Sequence, residues 1–312
     1  MNTLCSELWH SISIDHRGNV FSCCHNMPLK AGNIYHNHLS EIINCSALIQ
    51  CREESLSGYL SCYKDCNWTR CEPDQSTAGS IIHYNQLKNI TIVFGELCNI
   101  SCIMCNQRMR KIPDVSMLNH DILIKNVDIS PFNNIFLTGG EPLLIPECLN
   151  YMKYLASINK KFSLSTNGML LTEEMSDFLS PNLNFITFSI NAFTKKTHEY
   201  VNSLSSFDKI LSNINYLKKR RSLDKSNFDI IGRMTLTVHS LMEIPEFIIK
   251  YKEYGFDKIN FGYDKSTVPF YLANNSSVTL QLKKEIQDAL TTSNSKHVDF
   301  RRLEMLGLIN KS

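Results

Sequence analysis

The chain has 312 residues, 43% of them apolar and 20% charged, with a net charge of +2. That is enough for one large domain, or a medium domain with a small one, around an ordinary core. Acids and bases are mixed along the chain, which leaves no electrostatic footprint for nucleic acid, and no apolar run approaches the length of a membrane span.

The opening "MNTLCSELWH" has neither the basic nor the apolar segment of a signal peptide, so the expected compartment is the cytoplasm. Twelve cysteines in a reducing compartment point to metal or redox chemistry rather than disulfides. Eight of them fall early: Cys5, Cys23, Cys24, Cys45, Cys51, Cys62, Cys66 and Cys71. This composition shift marks a Cys-rich module over residues 1–75. The Pro-, Gly- and Ser-containing stretch "EPDQSTAGS" (72–80) leads into a linker over 76–87. Within the module, Ile12 to Ile14 and Val20 to Ser22 read as a β-hairpin that brings Cys5 and Cys23 near each other. Cys45 and Cys51 lie on a helix and read as buried small hydrophobes, as does Cys148 later in the chain. His36 and His38 flank a solvated turn.

Over residues 88–265, apolar and β-branched runs alternate with helical patterns. Strands are expected at 89–95, 133–140, 162–168, 184–191, 228–238 and 256–264. Helices lie between the later ones: "CLNYMKYLASI", "TEEMSDFLS" with Thr172 as N-cap, "FDKILSNINYLKKRR", and "IPEFIIKYKEYG" with Pro245 in its first turn. The basic run Lys218 to Arg221 reads as a solvated helix end. Residues 266–312 form a helical tail with one amphipathic helix, "VTLQLKKEIQDALTTS". Strand–helix units in series imply a parallel sheet, either open and doubly wound or curved into a partial barrel.

"GELCNISCIMCNQ" (95–107) holds Cys98, Cys102 and Cys105, spaced C-x3-C-x2-C. A structural zinc site wants four ligands, and disulfides do not use an odd number of cysteines. Three thiolates on a 4Fe–4S cube leave one iron open, which is what a catalytic metal needs. "GGEP", "STNG" and "SIN" fall, like the triplet, at the C-terminal ends of strands. In a barrel those ends form the face where active sites gather.

"CNISCIMC" resembles the cluster motif of the radical S-adenosylmethionine (radical SAM) enzymes, and "TGGEP" (138–142) resembles that family's GGEP motif. The resemblance covers roughly residues 88–265 and implies an α/β fold, a partial (β/α)6 TIM-like barrel. It implies a 4Fe–4S cluster on Cys98, Cys102 and Cys105 that cleaves S-adenosylmethionine to a 5′-deoxyadenosyl radical for hydrogen abstraction. It implies a flavodoxin- or ferredoxin-type electron donor. Gly139 and Gly140 would let the backbone approach the methionyl group, with Glu141 facing its ammonium. Ser165, Thr166, Asn167, Ser189 and Asn191 stand where ribose or carboxylate contacts are expected, and Met104 stands near the adenine. Arg233 is the candidate for the carboxylate, with a surface position as its rival. Two positions depart from the family pattern: Asn191 where an acid is common, and Asn202 near a place where an Arg is common.

Cys5, Gly18 and Cys23, spaced C-x12-G-x4-C, resemble with "CYKDCNWTRC" the SPASM/twitch auxiliary-cluster modules of these enzymes. The resemblance implies an auxiliary 4Fe–4S cluster on Cys5, Cys23, Cys62 and Cys66, with Cys24 and Cys71 as substitutes. A structural zinc on the same ligands is the competing reading. The leading functional expectation is modification of a peptide or protein side chain. A small-molecule substrate (sugar, nucleotide or cofactor precursor) is the alternative, and a non-catalytic iron–sulfur electron carrier stands third.

Overall fold

The computed structural model describes residues 4–23, 30–59, 77, 79–106, 114–292 and 295–310. Its strands are β1 (Ser11–Ile14), β2 (Asn19–Phe21), β3 (Gly32–Asn33), β4 (Asn89–Val93), β5 (Ser101–Cys102) and β6 (Asn134–Thr138). They continue with β7 (Phe162–Thr166), β8 (Leu183–Ser189), β9 (Asn202–Ser203), β10 (Asp229–Leu236), β11 (Lys258–Tyr263) and β12 (Val298–Asp299). The helices begin with α1 (Glu7–His10), α2 (Leu39–Ile42), α3 (Ser46–Leu56), α4 (His120–Asn126), α5 (Pro146–Ser157) and α6 (Glu173–Leu179). They end with α7 (Lys195–Val201), α8 (Phe207–Leu223), α9 (Ile244–Lys250), α10 (Val268–Asn274), α11 (Ser276–Thr292) and α12 (Arg301–Met305). The fold is α/β with a parallel sheet, and all six strands expected between 88 and 265 are present. No described helix is long and apolar enough to cross a membrane.

The chain divides into two compact units: Met1–Leu97 with Asp114–Ser163, and Cys98–Pro113 with Leu164–Ser312. In the first, β1 and β2 form the expected antiparallel hairpin, with Ser13 opposite Phe21. β1 also pairs in parallel with β4, setting Ile12 beside Ile90 and Ile14 beside Ile92, and β4 pairs in parallel with β6. The Cys-rich module therefore adds strands to the sheet begun by β4. The sequence of β1, "SISI", is buried at every position, as a strand covered on both faces must be. The hairpin turn needs a glycine at Gly18, where φ is +77° and a Cβ would lie 2.4 Å from the Tyr35 ring. Asp114 takes hydrogen bonds from Ser116, His16 and Arg17, which hold its carboxyl far below the usual carboxylate range.

Arg52, on α3, is 1% exposed, and the hydrogen bonds of its guanidinium all go to oxygens. Nε donates to Leu8 O at 2.8 Å, Nη2 to Ile43 O at 2.9 Å, and Nη1 to Ser80 O at 3.0 Å and Asn44 Oδ1 at 3.3 Å. Burial lowers its pKa to about 10. One side chain thus fastens α1, the end of α2 and the segment before β4.

In the second unit β8, β10, β11 and β12 are parallel neighbours. β10 alternates half-buried and buried residues along its length, so Arg233 and Thr235 share one face and Gly232 and Met234 the other. A small separate ladder joins β5 to β9 in antiparallel register, with Cys102 opposite Asn202. α4 and α7 are absent from the sequence-based expectations. The tail also holds β12, which pairs with β11, besides its helices. Cys51 and Cys148 are buried as expected, but Cys45 is half-buried because it occupies the N-cap of α3 rather than its inner face. His36 and His38 are exposed, and Arg220 and Arg221 form ion pairs at the surface end of α8.

Candidate functional site

The segments singled out by sequence all follow the C-terminal ends of parallel strands: Cys98 after β4, Gly139 after β6, Asn167 after β7 and Asn191 after β8. In the first unit, Gly140 N donates to Gly95 O at 2.9 Å and Glu141 N to Leu97 O at 2.8 Å. Gly139 has φ +151°, and a Cβ on it would sit 2.6 Å from Gly95 O. A Cβ on Gly140 would sit 2.2 Å from Leu97 O and 2.5 Å from Glu96 O. The two glycines are therefore required for backbone to meet backbone, fastening the GGEP turn to the residues immediately before Cys98. Glu141 is fully buried, and its Oε1 accepts from Leu143 N at 3.1 Å, so the carboxylate caps the turn that begins at its own residue.

In the second unit, Cys98, Cys102 and Cys105 are all half-buried. Cys105 N donates to Cys102 O at 3.1 Å within this short loop, and Ile103 N donates to Val201 O at 2.9 Å, which anchors it to the end of α7. Met104 lies in that turn, half-buried. Asn167 Nδ2 donates to Asn99 Oδ1 at 2.8 Å and reaches Cys98 Sγ at 3.8 Å, while its Oδ1 accepts from Met169 N at 2.9 Å. Thr166 Oγ1 accepts from Gly168 N at 3.0 Å. Ser165 and Ser189 are half-buried, and neither side chain makes a hydrogen bond among the described residues.

Asn191 has φ +55°, a left-handed conformation that asparagine tolerates better than most residues. Its Oδ1 accepts from Thr235 N at 3.0 Å, and its Nδ2 donates to Asn202 Oδ1 at 2.9 Å. Asn202 Nδ2 donates to Ile190 O at 3.2 Å, and Cys102 Sγ lies 3.2 Å from Asn202 Oδ1. His198 Nδ1 also meets Ile190 O, and burial pushes the imidazole pKa down. The two departures from the family pattern are thus one hydrogen-bonded pair, and they reach a cysteine of the triplet.

Arg233 is half-buried rather than on the surface. Register places it beside Ser189 on β8 and Asn260 on β11, and Asn260 beside Asp299 on β12. Paired residues share a face, so Ser189, Arg233, Asn260 and Asp299 form a polar row across four strands. Arg233 Nη1 donates to Asn260 Oδ1 at 3.3 Å, and Gly262 leaves room for the guanidinium, whose Nη2 would be 3.0 Å from a Cβ there. Asp299 is held below the usual carboxylate range by Arg301 and Arg233, against its burial. Asn260 and Asp299 escape sequence reading because only strand register puts them beside Arg233.

In the N-terminal module Cys5 is buried, with its N donating to Ser55 Oγ at 2.9 Å, and Cys23 is half-buried just after β2. Cys62 and Cys66, like Cys24 and Cys71, lie outside the described residues. Among the described residues no three His, Cys, Asp or Glu side chains are gathered closely enough to hold a single metal ion. A cube places each thiolate on a different iron and asks for wider spacing than tetrahedral zinc does. Three thiols on one loop, with an amide N–H aimed at one sulfur, are a donor set that suits such a cube.

The sequence model of the radical SAM superfamily matches residues 92–233, and that of an iron–sulfur cluster-binding domain, SPASM, matches residues 5–72. The chain carries a radical SAM domain and, ahead of it, a SPASM domain. Domains of the first kind bind a 4Fe–4S cluster and S-adenosylmethionine, and those of the second bind iron–sulfur clusters. Curated relatives include a protein named probable GTP 3′,8-cyclase from Saccharolobus islandicus, 27% identical over 41% of this chain and 42% of its own length. Another of that name, from Metallosphaera sedula, is 25% identical over 69% of this chain and 68% of its own. The chain thus spans about two fifths of the length of the first curated relatives it matches. Among solved structures, Streptococcus suis SuiB bound to its precursor peptide SuiA aligns with a TM-score of 0.48 and 15% identity, over 78% of this chain and 59% of that one.

Proposed function

We propose that this radical SAM enzyme abstracts a hydrogen from a side chain of a peptide or protein, with Cys98, Cys102 and Cys105 as ligands of the catalytic cluster. The observation that carries the reading is the SPASM match at residues 5–72 ahead of the radical SAM match, since modules of this kind accompany peptide-modifying members of the family. When bound, the cluster would supply one electron that breaks the carbon–sulfur bond of S-adenosylmethionine into methionine and a 5′-deoxyadenosyl radical, the hydrogen-abstracting species.

The residues of the chain bind and orient. Gly139 and Gly140 brace the turn before Cys98, and Asn167 holds the loop after it. Arg233 offers a guanidinium to the cofactor's carboxylate, with Asn260 steadying it. Ser165 and Ser189 offer hydroxyls to the ribose, and the backbone at Met104 serves the adenine. Asn191, with both amide atoms engaged inside the protein, acts on the site indirectly. Thr166 and Glu141 do the same through their turns. Cys5, Cys23, Cys62 and Cys66 hold the auxiliary cluster in this reading, and a flavodoxin- or ferredoxin-type protein supplies the electron.

The curated relatives favour a second reading, a nucleotide substrate. Anaerobic turnover with reductant and S-adenosylmethionine separates the two. Peptide-containing extracts of the native host and GTP are supplied in parallel, and products are read by mass spectrometry. A peptide changed in mass together with 5′-deoxyadenosine supports the first reading. Turnover of GTP alone overturns it in favour of the second.

A further inference from the structure

The buried amides beside the cysteine triplet have a fixed polarity. At one end, Thr235 N–H can only donate, so Asn191 turns its Oδ1 toward it, at 3.0 Å. Asn191 Nδ2 then faces Asn202, whose Oδ1 accepts at 2.9 Å. At the other end, Ile190 C=O can only accept, so Asn202 turns its Nδ2 toward it, at 3.2 Å. A rotated Asn202 amide would set oxygen against the Ile190 carbonyl and nitrogen against the Asn191 nitrogen. Both residues are buried, Asn202 completely, so water cannot repair such a mismatch. Two backbone groups therefore decide that Asn202 presents oxygen to Cys102 Sγ, 3.2 Å away. At Cys98 the polarity is opposite, for Asn167 presents an N–H.

A thiol can donate to the Asn202 oxygen, but a thiolate on iron has no hydrogen to give. The negative end of the amide dipole then faces a sulfur that shares each electron added to its cluster. Hydrogen bonds donated to cluster sulfurs are among the determinants of reduction potential, and an acceptor in that place acts in the opposite sense. We infer that Asn202, held by Asn191, is a positioning residue that keeps the cluster on Cys102 hard to reduce, and hence strongly reducing once it carries the electron. This rests on the reading that Cys98, Cys102 and Cys105 hold that cluster.

The test is a redox titration of the full-length chain after anaerobic reconstitution, for wild type, Asn202→Ala, Asn202→Asp and Asn191→Gly. Iron and sulfide are measured first. The signal followed is the paramagnetic resonance absent from a variant with Cys98, Cys102 and Cys105 all replaced by alanine. Asn202→Ala removes the oxygen. Asn191→Gly tolerates the positive φ and removes one of the two partners that fix the Asn202 amide, leaving Ile190 C=O as the other. Asn202→Ala should be reduced more easily, at least tenfold in the ratio of reduced to oxidised form at a fixed potential, which is about 59 mV for one electron, and Asn191→Gly should shift the same way by less. Asn202→Asp keeps an oxygen toward the sulfur and should stay at or below the wild-type potential. Asn202→Ala holding the cluster at an unchanged or lower potential overturns the inference, as does a lowered potential in Asn191→Gly or a raised one in Asn202→Asp. A wild type that lacks the signal while holding iron elsewhere overturns instead the assignment of the triplet.

Discussion

Asn191 Nδ2 donates to Asn202 Oδ1 at 2.9 Å, with both side chains buried. The pair ties the end of β8 to the strand that faces Cys102, so loss of either partner strands a buried polar group. Asn202→Ala leaves the Asn191 amide without its acceptor, and the expected cost is about 1–3 kcal/mol. Combining it with Asn191→Gly should cost less than the sum of the two, with a coupling of about 0.5–3 kcal/mol. Urea denaturation of the four proteins in the cycle measures it, and strict additivity would show that the two amides act independently.

Gly140→Ala should disturb the turn before Cys98 rather than merely crowd a ligand. Its Cβ would meet two backbone oxygens, at 2.2 and 2.5 Å, which no side-chain rotation relieves. The expected loss is about 1–3 kcal/mol of stability, with reduced iron uptake on reconstitution. Denaturation midpoints and iron content check both. A variant as stable and as iron-rich as wild type would contradict the backbone role.

His198 is buried, and desolvation lowers its pKa below the unfolded value of about 6.5. The unfolded chain then binds the proton first, so this residue subtracts stability as the pH falls below about 6.5 and subtracts none well above it. His198→Gln should be less stable at pH 8, having lost the imidazole's packing against Phe207, yet lose less on going from pH 7 to pH 5. Equal losses over that interval in the two proteins would assign the acid sensitivity to other groups.

Arg52→Met should be among the most destabilising single changes in the N-terminal module. It leaves three carbonyls without the Arg52 donor, while Asn44 Oδ1 keeps only Ile82 N, at an expected cost of about 3 kcal/mol or more. Thermal unfolding reads it. An unchanged midpoint would mean that those oxygens find other donors.

The parts of this fold that repeat locally were readable from sequence. Runs such as "ITIVF" and "FITFSI" announce strands by composition, and the triplet with GGEP announces the chemistry by spacing. Features set by distant partners were not. β1 is only four residues long, and its pairing with β4 crosses 78 positions, from Ser11 to Asn89. α4 and α7 have seven residues each, too few turns to display a period, although Asn119 and Thr194 cap them. Asn202 looked like a missing arginine until β5 and β9 were seen to pair. The burial of Arg52 has no local signal, because nothing near it in sequence says that three carbonyls from other segments close over it.

The most direct test of the central claim, that Cys98, Cys102 and Cys105 hold a cluster that cleaves S-adenosylmethionine, is the formation of 5′-deoxyadenosine. The full chain is reconstituted anaerobically and given dithionite and S-adenosylmethionine, beside a variant with all three cysteines replaced by alanine. The wild type should form 5′-deoxyadenosine slowly even without substrate. The variant should form none, while keeping its circular dichroism and about four irons in the N-terminal module. Formation at the wild-type rate by the triple variant would contradict the account.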